Sequence, residues 1–149
     1  MGARGKVWIG GVLAIGLAGA ALAGCSQANL PKDALDSAVN DAVGDPNTCV
    51  LIGAQDKSVL YRFGSHVACA AKWPDCNGGQ RSAEDLLKLG APVAASCPSS
   101  ADGARGVGWA AGPVEGKPFA YAAAMEGENS PPGLIIADKL KAAFKRAGL

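Results

Sequence analysis

Three groups of residues have the types and spacing to do chemistry. Cys69-Ala70-Ala71-Lys72 sets a thiol and an amine three residues apart, one helical turn. At that spacing the lysine could help remove the thiol proton, and the thiolate would attack an acyl group. Ser65 directly precedes His66, a hydroxyl beside a general base, with Asp56 or Asp75 available to complete a triad. Adjacency along the chain is not triad geometry, and a lone histidine near a loop is more often a polar surface group. Glu126 and Glu128 lie two apart. Paired carboxylates can do acid–base work, but on a loop after a strand they more often keep a turn soluble. Gly106-x-Gly108 lacks the third glycine and the strand-to-helix setting of a phosphate loop. No catalytic constellation is complete; Cys69, Lys72, Ser65 and His66 are the residues that would carry one. With one histidine and no suitable cysteine spacing, no zinc site is expected, and no cofactor motif is present.

The start of the chain bears on the compartment. Arg4 and Lys6 precede an apolar run from Val7 to Ala23, and small residues follow: a positive n-region, an apolar h-region and a cleavage site. The run holds 17 residues and four glycines, short of the ~20 apolar residues a spanning helix needs. Leu22-Ala23-Gly24-Cys25 resembles the lipobox of bacterial lipoproteins. The resemblance implies a signal peptide over 1–24, a lipid-modified N-terminus at Cys25, a tether over 25–30 and one domain over 31–149. Two or three acyl chains would hold the protein firmly to a membrane, since each buried CH₂ contributes about 0.8 kcal/mol. Ser26, not an aspartate, follows the cysteine. The family's sorting rules then imply the outer membrane, facing the periplasm, in a host with two membranes.

With Cys25 acylated, Cys49, Cys69, Cys76 and Cys97 remain. An even number in an exported domain suggests two disulfides, with three pairings possible. Cys69 and Cys76 are close in sequence and flank the bend at Trp73-Pro74, which favours Cys69–Cys76 together with Cys49–Cys97. No Cys-x-x-Cys suggests a redox-active pair. A cysteine among three others in an oxidising space is more often half of a disulfide than a nucleophile.

Removing Arg4 and Lys6 from 14 basic residues, against 13 acidic ones, leaves the mature chain at a net charge of −1. No basic stripe of the kind nucleic-acid binding needs is present. Lys139, Lys141, Lys145 and Arg146 cluster near the end, which suits the last turns of a helix whose carbonyl dipoles favour cations.

The elements that must position these groups follow from periodicity. Leu35, Val39 and Val43 recur every four residues, which predicts a helix over 31–43 closed by Gly44. Thr48–Ile52 and Ser58–Phe63 predict a hairpin. Residues 64–80 predict a disulfide-pinned loop with a helical turn near His66–Lys72. Ser82 and Asp85 resemble a capping box before a short helix to Leu89. Residues 92–97 predict a strand. Gly106–Trp109 and Phe119–Met125 alternate small with large and predict a second hairpin. In it one face carries Val107, Trp109, Phe119, Tyr121 and Met125, and the other only small residues. Ser130, as N-cap, opens a last helix striped by Ile136, Leu140 and Phe144. The expected class is α+β: an antiparallel sheet of four to five strands covered by the N- and C-terminal helices, with a short helical and looped insert.

This order is similar to a stripped-down penicillin-recognising serine hydrolase, the family of β-lactamases and transpeptidases. The similarity rests on the stretch from Gly106-Val107-Gly108-Trp109 to Tyr121-Ala122-Ala123 with its closing helix. The family's motifs are missing. Cys69 stands where Ser-x-x-Lys needs serine, and Asp102-Gly103-Ala104-Arg105-Gly106 stands in the neighbourhood of Lys-Thr-Gly. Two surface candidates remain: Trp73 with Asp75 on the pinned loop, and the turn from Asp102 to Arg105. Aromatic groups on a constrained loop lose little entropy on binding. The expectation is an envelope lipoprotein that binds a protein or cell-wall partner without catalysis. A reduced serine hydrolase and an inhibitor of a periplasmic hydrolase are the alternatives.

Overall fold

A computed structural model describes residues 29–149. The expected signal peptide, the lipobox-like Leu22–Cys25 and the expected acylation of Cys25 lie outside the described residues. In chain order the elements are α1 (Lys32–Val43), β1 (Thr48–Gly53), β2 (Val59–Phe63), α2 (His66–Ala70), β3 (Trp73–Pro74), β4 (Gln80–Arg81), α3 (Ala83–Leu89), β5 (Val93–Pro98), β6 (Gly106–Pro113), β7 (Ala120–Gly127) and α4 (Gly133–Arg146). The class is α+β. Five antiparallel strands lie in the order β2-β1-β7-β6-β5, and β3 with β4 forms a small separate ribbon.

Local chemistry sets the element ends. The Ser82 hydroxyl accepts from the Asp85 amide at 3.1 Å, and the Asp85 carboxylate accepts from the Ser82 amide at 2.9 Å. This capping box satisfies two of the free donors of α3. Gly90, in the left-handed region at φ 67°, ends the helix. Ser130 does not cap α4, contrary to the sequence expectation. Pro132 holds the N-cap position, and the Ser130 hydroxyl donates instead to the Met125 carbonyl at 2.6 Å. The two prolines keep the chain extended past Ser130, which therefore reaches back to the strand it has just left.

Layers cover both faces of the sheet. On one face α1 and α4 bury Leu35, Val39, Ile136 and Leu140 against Val50, Ile52 and Tyr121. On the other, α2, α3 and the β3–β4 ribbon bury Cys69, Leu86 and Leu87 against Leu51, Val107 and Trp109. The terminal helices thus cover one face alone, and the insert covers the second.

The expected single large face of the β6–β7 hairpin is not formed. Trp109 pairs with Ala124, Gly108 with Met125 and Gly112 with Tyr121. Odd positions of β6 therefore share a face with even positions of β7. Val107 and Trp109 point to the insert side, while Tyr121 and Met125 point to the terminal helices. Hairpin register, not the alternation within each strand, decides this.

Both expected disulfide pairings are overturned. The bonds are Cys49–Cys69, with Cα atoms 5.0 Å apart, and Cys76–Cys97, with Cα atoms 5.5 Å apart. Cys49 and Cys97 share a sheet face but sit on β1 and β5, three strand spacings apart. That is roughly 14 Å, beyond the reach of a disulfide. Cys69 is on α2, which packs on β1, whereas Cys76 follows β3 and faces β5. Each bond closes a loop of 20 or 21 residues and contributes about 3 kcal/mol in the chain-entropy account.

Two glycines mark where helix and sheet touch. A methyl group on Gly133 would meet the Trp109 carbonyl at 2.2 Å and the Ala95 backbone at 2.5 Å. One on Gly108 would meet the Pro131 carbonyl at 2.3 Å. The start of α4 thus lies flush on β5 and β6. Gly133→Ala is expected to destabilise the fold by about 2 kcal/mol, read by urea unfolding. An exposed control, Ala142→Gly, is expected to cost less than 1 kcal/mol, the ordinary helix-propensity difference.

Candidate functional site

The sheet ends in a buried charge. β7 runs past Ala122 and Ala124 to Glu126, which is on the Trp109 face and only 4% exposed. An ionised carboxylate in that position needs partners, and three side chains supply them. Arg105 donates through Nε to Oε1 at 2.8 Å and through a terminal nitrogen to Oε2 at 2.7 Å. The Ser99 hydroxyl donates to Oε1 at 2.8 Å, and the Asn47 amide to Oε2 at 3.3 Å. The Arg105 contact first, then Ser99 and Asn47, holds the Glu126 carboxyl below its usual range despite burial. The same pairing raises the guanidinium pKa. Its spacing from Glu128 suggests a solvated turn for Glu126. The structure corrects this, because the strand continues two residues beyond Met125 and its alternation brings Glu126 inside. Glu128, one turn further, is exposed as expected.

Beside this pair lies a cavity of about 340 Å³ bordered by Asp45, Asn47, Arg105, Glu126, Glu128 and Ser130. Glu126 already accepts four hydrogen bonds. Its carboxylate is therefore committed to holding Arg105 and Ser99, not poised to move a proton.

The second group is the ribbon of β3 and β4. Trp73 is half-buried and packs on the insert-side core. The Asp75 carboxylate accepts from the amides of Asn77 at 2.8 Å and Gly79 at 2.9 Å, and pairs with Arg81 at 3.4 Å. Those two amides, ahead of Arg81, lower its pKa. Below the ribbon, the Trp109 indole donates to the Pro74 carbonyl at 2.8 Å, and the Arg81 guanidinium lies 6.0 Å from the Trp109 ring centre. The Cys76–Cys97 bond ties this ribbon to the end of β5. Two residues on, the Ser99 amide donates to the Arg105 carbonyl at 2.9 Å and closes the 99–105 loop. Trp73 and Asp75 therefore flank the same end of β5 as Asp102 and Arg105. Asp102 is exposed and accepts from the Ser100 hydroxyl and the Ala104 amide, so its carboxylate shapes its own turn.

The residues that would carry catalysis are engaged elsewhere. Cys69 is fully buried and bonded to Cys49. The Lys72 amine pairs with Asp85. Ser65 is the N-cap of α2, its hydroxyl accepting from the Ala68 amide at 3.0 Å. His66 is exposed on the first turn of that helix. Asp56 holds its own turn through Ser58, and Asp75 does the same.

Replacing Glu126 by glutamine tests the buried pair. The charge goes while the shape stays, and a loss of about 2 kcal/mol at neutral pH is expected. A depressed native pKa contributes stability that is complete above the ordinary value of 4.5 and lost as pH falls through the native one. Wild type is therefore expected to lose stability on acidification below 4.5. The acid limb of Glu126→Gln should be flatter, as read by thermal melts between pH 7 and 3.

No family model matches the chain, and no curated protein or solved structure matches it either.

Proposed function

We propose that the chain is a lipid-anchored envelope protein whose folded domain binds a protein or cell-wall partner. The observation that carries this reading is the pair of disulfides, which uses every cysteine of the described domain. A stapled domain of this size belongs in an oxidising space, and the leader with its lipobox supplies the route there. No helix among the described residues is long and apolar enough to cross a membrane. Attachment in this reading falls to the acyl chains on Cys25, on the outer membrane facing the periplasm where the host has two membranes.

The binding surface proposed is the end of β5, where the ribbon bearing Trp73 and Asp75 meets the loop bearing Asp102 and Arg105. Both segments are held before any partner arrives: the first by Cys76–Cys97 and the Trp109–Pro74 hydrogen bond, the second by the Arg105–Glu126 pair. Pre-organisation lowers the ordering cost of association. The geometry favours binding over acyl transfer, because the thiol such chemistry would use is closed in a bond to Cys49.

Metabolic labelling with palmitate is expected to mark the full chain and to fail with Cys25→Ser. Alkylation of the denatured, unreduced protein is expected to find no free thiol among Cys49, Cys69, Cys76 and Cys97. An unlabelled wild-type chain in the cytosol would sink the anchoring, and a free Cys69 would restore the enzymatic alternative.

A further inference from the structure

Between the β6–β7 turn and the second half of α4 lies a cleft of about 770 Å³, well within the size of small-molecule sites. Its floor is apolar. Val114 and Phe144 are each 3% exposed, and the Tyr121 ring meets Phe144 edge-on at 5.4 Å between centres. Ala137 and Leu149 extend the apolar wall.

The two tyrosines of the chain are treated differently. Tyr61, 3% exposed, donates its hydroxyl to Asp36 at 2.9 Å. Tyr121 is 8% exposed and lines the cleft, yet its hydroxyl makes no hydrogen bond within the described residues. Burial raises its pKa, with Asp138 acting only at a distance. The hydroxyl of a buried tyrosine usually finds a partner. This one has none among the described residues and is not one of their fully buried unpartnered atoms, so solvent reaches it, and a molecule in the cleft that Tyr121 lines can take the solvent's place.

The rim limits what could supply that partner. Glu115 and Asp138 stand against Lys141 and Lys145, and Glu115 already pairs with Lys141 at 3.0 Å. The four charges cancel, so the mouth selects neither an anion nor a cation. An apolar floor, a balanced rim and one free hydroxyl describe a neutral molecule with a hydrocarbon body and a single oxygen.

We propose that this cleft binds an uncharged apolar alcohol or ester, its hydrocarbon on Val114 and Phe144 and its oxygen hydrogen-bonded to the Tyr121 hydroxyl. The site is on the terminal-helix side of the sheet, away from the ribbon and its disulfide.

The test uses the full chain in phosphatidylcholine nanodiscs, with diazirine-bearing decanol, decanoate and decylamine as photolabels. Decanol is expected to mark peptides spanning 113–121 and 137–149 more strongly than either charged probe. Tyr121→Phe, which keeps the ring contact with Phe144, is expected to lower that labelling about five-fold, the loss of one hydrogen bond. Ala137→Trp, with its fold checked by circular dichroism, should block it by filling the cleft. Labelling spread evenly along the chain, equal labelling by a charged probe, or labelling unchanged in either folded variant would overturn the proposal.

Discussion

Along the middle of β6 and β7 the largest side chains each face a glycine or an alanine; only Val107, opposite Glu126, departs from this. Trp109 stands opposite Ala124, Tyr121 opposite Gly112 and Met125 opposite Gly108. This interleaving puts volume on both faces of the central hairpin without crowding either. It lets α4 descend onto the backbone at Gly108 and Gly133, where no Cβ would fit. It also opens room on the opposite face for Trp109, the largest fully buried side chain. Interiors pack to crystal-like density, so a sheet covered on both faces needs the summed volumes to balance layer by layer.

From that arrangement the other features follow. Trp109 inside requires a partner for its indole N–H, and the Pro74 carbonyl supplies it. The β3–β4 ribbon is too short to hold itself; two residues a side form few ladder bonds. It stays in place through Trp109 beneath it and the Cys76–Cys97 bond beside it. The insert helices need the second staple for a related reason. α2 has five residues, below the length at which a helix is stable alone. Cys69 fixes it to β1 through Cys49. On one face α2 and the ribbon are thus tied covalently, whereas α3 on that face and the longer α1 and α4 on the other hold by apolar burial.

Much of this was legible in the residues. The four-spaced stripes of α1 and α4, the Ser82–Asp85 capping box, Gly90 as helix stop and both hairpins are local signals, each carried by neighbours within a turn or two. One local expectation failed, the Ser130 cap, which Pro131 and Pro132 displace; the other failures were nonlocal. The disulfide pairing depended on strand order, which puts two strands between Cys49 and Cys97. The facing of Trp109 and Tyr121 depended on a register that neither strand specifies by itself. Glu126 looked like a loop carboxylate because its partners, Asn47, Ser99 and Arg105, lie far from it along the chain.

The residues alone determined the class, the order of the larger elements, the Ser82–Asp85 and Gly90 caps of α3 and the N-terminal segment's likeness to a lipoprotein signal, since these arise from spacing and from side chains acting on their own backbone. Tertiary structure decided which cysteines meet, which carboxylate is buried, and that Tyr121 lines a cleft while Tyr61 is satisfied. Those outcomes hang on distances between segments that a linear pattern does not contain. A period of two says that a strand has two faces, and only the neighbouring strand says which face is inside.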